Sequence, residues 1–124
     1  MSLSRIVMRL ARNPGTEFAG GDDHRGYVLT APLTPDGLLD EQAYAKVRDA
    51  CTVRRFAPDE EPADGRLNRR GTRWFFDYDE EEASDDEPVH RLGDHRFAVG
   101  EYVTVTDDDG RPLTYKVVDV QPAA

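Results

Sequence analysis

The sequence predicts an α+β fold: a small, mostly antiparallel sheet of five or six strands, curved or closed into an open barrel, with one helix over about residues 40–51. Three observations predict it. Apolar and polar residues alternate in short runs along much of the chain, the period-2 pattern of half-buried strands. One stretch, "LLDEQAYAKVRDAC", departs from that period and carries apolar residues at helical spacing behind a capping aspartate. Near the C-terminus two apolar runs flank "DDDGR", where Asp109-Gly110 supplies the positive-φ position of a tight hairpin.

The elements follow in order. Ser4 to Arg12 alternates, with Ile6, Met8 and Leu10 on one face and Arg5, Val7 and Arg9 on the other. "NPGTEFAGGDDHRG" reads as a loop punctuated by Pro14, Gly15, Gly20 and Gly21. A second strand spans Gly26 to Leu33, and Pro32 ends it or confines it to an edge. In the helix, Asp40 is the cap, Leu39 and Tyr44 form a hydrophobic staple, and Ala43, Val47 and Ala50/Cys51 share a face. Acidic Asp40 and Glu41 at its start and Arg48 near its end suit the helix dipole.

Thr52 to Ala57 is a short strand, and "PDEEPADGRLNRRG" after it is rich in turn residues and reads as a loop. "TRWFFDYD" is a strong strand, with Trp74, Phe76 and Tyr78 on one face and Arg73, Phe75 and Asp77 on the other. Aromatics on both faces mark it as central. A flexible acidic loop over about 77–90 leads to the closing hairpin, Glu101 to Thr106 and Leu113 to Val120.

A length of 124 residues predicts one domain, 1–124, able to bury roughly 65% of its unfolded surface. Hydrophobic residues make up 38% and charged ones 33%, which suits a small domain with long polar loops. Cys51 is the single cysteine, so no intrachain disulfide forms; a lone thiol suggests a reducing cytoplasm and reads as a small buried side chain. Arg5, Arg9 and Arg12 break up the N-terminal apolar run, so it reads as a strand and not as a leader. No segment approaches the ~20 apolar residues of a membrane-spanning helix.

The net charge of −9 is uneven. Residues 1–75 hold 12 Lys and Arg against 11 Asp and Glu, whereas residues 76–124 hold 4 against 14. An acidic surface repels phosphates and anionic lipid and favours basic partners or cations, although solubility alone also accounts for it. The densest acidic run supplies the first candidate site: Asp79, Glu80, Glu81, Glu82, Asp85, Asp86 and Glu87, facing a basic partner. The run fails as an EF-hand loop, because Glu82 stands where glycine is required and Pro88 where the bidentate Glu is required.

Two alternatives compete with it. Each of the three histidines lies beside acids, so His24, His90 and His95 with Asp86 or Asp94 form a candidate transition-metal set. On a strand, however, the five-residue spacing of His90 and His95 points them to opposite faces. The second alternative is an anion or single-stranded nucleic-acid site at Arg66, Arg69, Arg70, Arg73 and Trp74, guanidinium groups on phosphate and a ring under a base. The acidic half of the chain disfavours nucleic acid, and intramolecular pairing of these arginines with the nearby acidic loop competes with it. No nucleophile motif, phosphate loop or paired catalytic group is present, which disfavours enzyme activity.

"GEYVTVTDDDG…YKVVDV" is similar to the closing hairpin of SH3-like barrels, a likeness of fold that implies no function. The whole chain resembles a small uncharacterised bacterial family through "HRGYVLTAPL", "CTVRRF", "WFFDYD", "DDEPVHRLGDHRF" and "GEYVTV". That resemblance implies no activity. The expected function is a non-enzymatic, cofactor-free, cytoplasmic accessory module, monomer or weak homodimer, whose acidic loop meets a basic protein.

Overall fold

The computed structural model describes residues 3–71, 73–78, 87–89, 95–106 and 110–123. Among the described residues eight strands form, six of them where the alternation is read: β1 (Leu3–Leu10), β2 (Asp22–Pro32), β3 (Thr52–Ala57), β4 (Glu60–Arg70), β5 (Arg73–Asp77), β6 (Glu87–Val89), β7 (Tyr102–Thr106) and β8 (Pro112–Pro122). Each pairs antiparallel with its neighbour in sequence, and β8 returns to β1. The sheet therefore closes into an eight-stranded barrel with chain-order connectivity. Closure removes the free edges that an open sheet would expose.

The expected five or six strands become eight because two stretches assigned to loops are strands. Residues 60–70 carry Pro62, Asp64 and Gly65, which read as turn residues, yet they form the eleven-residue β4. Gly65 has a packing role there. A Cβ at this position would lie 2.4 Å from the Asp77 carbonyl oxygen and 2.9 Å from the Tyr78 ring, so only glycine lets the end of β5 close onto β4. The second stretch is Glu87–Val89, which becomes β6. Together with β5, which runs to Asp77, it trims the acidic loop expected over 77–90 at both ends; residues 79–86 and His90 lie outside the described residues.

The helix is shorter than expected. α1 spans Glu41–Lys46, and a single 3-10 turn, Arg48–Ala50, continues it. Its start follows the sequence reading: the Asp40 carboxylate accepts from the Ala43 N–H at 3.0 Å. Leu39 and Tyr44 are both buried in the core cluster, as a staple requires. Among the described residues, no helix is long and apolar enough to cross a membrane.

Strand parity decides what fills the barrel. Ile6, Met8 and Leu10 point inward from β1, Trp74 and Phe76 from β5, Val103 and Val105 from β7, and Leu113, Tyr115 and Val117 from β8. An eight-stranded barrel is just wide enough for its own side chains to fill. Tyr27 sits amid them, its ring 4.9 Å from both Phe76 and Tyr115. Phe75 points outward from β5, under the Arg70 guanidinium at 4.8 Å.

The segment between β2 and β3 closes one end, here called the helical end. Tyr44 packs edge-on against Trp74 at 4.8 Å and donates its hydroxyl to the Leu67 carbonyl at 2.8 Å. Phe97, also buried, donates its N–H to the Gly37 carbonyl at 2.8 Å. Cys51 is buried here, and burial pushes its thiol up to about 11, away from reactivity.

Candidate functional site

In a chain-order barrel, successive connections alternate between the two ends. Connections 11–21, 58–59, 78–86 and 107–111 leave and re-enter the strands at one end; 33–51, 71–72 and 90–101 do so at the helical end. In sequence, the two sets of connections differ in charge. The first set holds Glu17, Asp59, Asp79, Glu80, Glu81, Glu82, Asp85, Asp86, Asp107, Asp108 and Asp109, against Arg12 and Arg111. Its balance of eleven acids to two bases equals the whole net charge of −9. Asp36, Asp40, Glu41, Asp49, Asp94 and Glu101 offset Lys46, Arg48, Arg91 and Arg96 in the second set, leaving −2. The first set defines the acidic end.

Part of the acidic end is pinned by short side-chain contacts. Asn13 reaches from the first connection to β8, donating to the Thr114 carbonyl at 3.1 Å and accepting from the Thr114 N–H at 2.9 Å. Arg111 donates to Glu17 at 2.7 Å. Phe18 lies within cation–π reach of both Arg25, at 4.9 Å, and Arg111, at 5.6 Å.

Inside the barrel wall near this end lies a polar cluster that the sequence reading does not assemble. Glu87 heads β6 and is 1% exposed. Its Oε1 accepts from the Tyr27 hydroxyl at 3.0 Å, and its Oε2 from Arg55 Nη1 at 3.1 Å. The Arg55 guanidinium also covers the Tyr78 ring at 4.7 Å. The Tyr78 hydroxyl is buried beside the carboxylate; it favours the ionised form without a hydrogen bond of full geometry. Burial pushes the Glu87 carboxyl above its usual range, and Tyr78, the Arg55 charge and Tyr27 pull it only part of the way back. Burial likewise raises the hydroxyls of Tyr27 and Tyr78, so both stay protonated donors. Burial acts against the Arg55 charge, and Glu87 more than compensates.

Glu87 is thus a correction. Expected on an exposed partner-binding surface, it is instead a buried anchor, because strand parity puts it in phase with inward Val89 while Pro88 faces out. The same parity was readable elsewhere: Arg55 is in phase with Val53, and Tyr27 with Leu29 and Ala31. A polar residue in step with buried neighbours was the signal that could have found the cluster. The other members of the expected acidic surface, Asp79, Glu80, Glu81, Glu82, Asp85 and Asp86, lie outside the described residues.

The structure does not bring the described histidines together. His24 is exposed near the start of β2, at the acidic end, with its backbone N–H bonded to the Asp22 carboxylate at 2.9 Å. His95 precedes Arg96, which bridges to Leu38 at the helical end. The topology sends the segments of His24 and His95 to opposite ends of the barrel. His90, Asp86 and Asp94 lie outside the described residues, and among the described ones no group of three potential ligands forms.

The arginine cluster is corrected in a different way. Trp74 is 3% exposed and packs against Tyr44, so its ring is no platform for a base. Arg69 covers that ring at 5.3 Å and donates to Glu41 at 3.1 Å, while Arg66 donates to Asp49 at 3.2 Å. The acids paired with Arg66 and Arg69 come from the helical segment, while the acidic connection expected to supply them lies outside the described residues. Arg70 lies over Phe75, and Arg73 is exposed.

No protein-family model, no curated protein and no solved structure matches this chain.

Proposed function

We propose that this protein is a non-enzymatic binding module whose acidic end receives a basic protein. The observation that carries this reading is that the connections flanked by strand ends on one side of the barrel hold, in sequence, eleven acids against two bases. The packed lumen supports it too, because a filled barrel meets partners with its outside. At physiological ionic strength, charges act over about 8 Å, so acids clustered along the chain, six in residues 79–86 and three in 107–109, reinforce one another at an approaching cationic surface. Such a contact gains rate and selectivity from the field more than from any single ion pair.

A charge-matched comparison tests the reading. An oligolysine peptide is titrated into the protein by calorimetry at low and at 0.5 M salt. Asp107, Asp108 and Asp109 are changed to Asn in one variant; Asp36, Asp49 and Glu101 are changed to their amides in another. The expected result is salt-sensitive binding that the acidic-end variant weakens several-fold more than the helical-end variant. Equal effects from both would reduce the acidity to a matter of solubility and end the proposal.

A further inference from the structure

Among the described residues, the wall of the barrel is thinnest at β6. Three residue pairs join it to β5, and a single pair, Val89 with Val105, joins it to β7. The β1–β8 seam has seven such pairs. Pro88, in the middle of β6, has no N–H to offer either neighbour. At the head of this poorly bonded strand, the Glu87 side chain crosses the lumen to Tyr27 on β2 and Arg55 on β3. A side chain therefore ties β6 to the two strands that its backbone cannot reach.

We propose that Glu87 is a latch: its side chain holds β6 in the wall, β6 opens ahead of the rest of the barrel, and the charge on Glu87 sets how often it does so. The groups facing the carboxyl are Tyr27 from β2, Arg55 from β3, Tyr78 beyond β5, and Tyr115 from β8 behind Tyr27. The inward residues of β1 and β7 are apolar.

The direction of the pH effect follows from burial. The closed state holds the carboxyl above its ordinary value of 4.5, and opening returns it to that value. A group whose pKa is raised by the closed state stabilises it fully below the ordinary value. That contribution is lost as pH rises through the raised one. The neutral acid keeps the Tyr27 bond, and partly exposed Arg55 can turn to water. The seam is therefore tightest in acid and loosens toward neutrality. Connection 78–86 enters β6 at Glu87, so the latch would regulate how the acidic end is presented. That consequence rests on the proposed function, whereas the latch itself does not.

Hydrogen exchange tests it without any partner. Amides of β6 and β7 are followed from pH 4.5 to 7.5, corrected for intrinsic exchange and referenced to β1 and β8. In the wild type, seam opening should rise with pH, by at most about tenfold per pH unit for a single proton. Glu87→Gln should stay closed and lose the pH dependence, and Glu87→Ala should open at every pH. If the alanine variant does not fold, Tyr27→Phe serves instead, with β6 exchange accelerated and the β1–β8 amides unchanged. A seam that exchanges only with the whole barrel, or a Glu87→Gln profile matching the wild type, would overturn the latch. Loss of oligolysine binding with this exchange pattern intact would instead strike only the proposed function.

Discussion

At the helical end, Tyr44, Trp74, Leu39 and Phe97 close the barrel with rings and aliphatic surface, and the polar groups there are satisfied by carbonyls a few ångströms away. At the other end, from which the acid-rich connections depart, a buried carboxylate is held by Tyr27 and Arg55. The first end is sealed by apolar burial, which is insensitive to pH and salt. The second rests on electrostatics, which depend on both. One barrel thus has a permanent end and an adjustable end, and the proposed binding by charge falls at the adjustable one.

The largest effect should come from breaking each end at its anchor. Trp74→Ala removes the ring that Tyr44 packs against and should cost about 3–5 kcal/mol in chemical denaturation. Glu87→Ala should cost about 3 kcal/mol, the low end for a broken buried pair, because Arg55 is partly exposed and can rehydrate. If the comparison holds, the first loss is constant between pH 5 and 7.5, and the second shrinks as pH rises. A smaller effect, about 1 kcal/mol, is expected for Asp40→Ala, which removes the cap of α1 and loosens the helical end alone. The smallest belongs to Arg66→Ala: its pair with Asp49 is exposed on both sides, and thermal unfolding should move by the equivalent of less than about 0.5 kcal/mol. A larger loss there would mean that the arginine face bears structural weight.

Much of the sheet was legible in the chain. Alternation located β1, β2, β3, β5, β7 and β8, and one capping aspartate located α1. β4 was hidden because Gly65 signals a turn locally, while its actual role, admitting the end of β5, is a contact across strands. β6 was hidden because three residues are too few for any period to register. Of the candidate site, the acidic composition was plain from Asp79 to Asp86. The removal of Glu87 from that surface was not, because it follows from its parity in β6, a strand too short to be read locally.

By itself, the sequence determined which side chains face inward along the six strands that alternation located. Parity along a strand is a local property, fixed by the pleat of the backbone, and it holds whatever the strand pairs with. Tertiary structure alone decided which inward residues meet, and at which end each connection emerges. Those outcomes depend on the number of strands and on how the sheet closes. Had β6 been absent, every later connection would have changed ends, and the one from β7 to β8 would leave from the helical end.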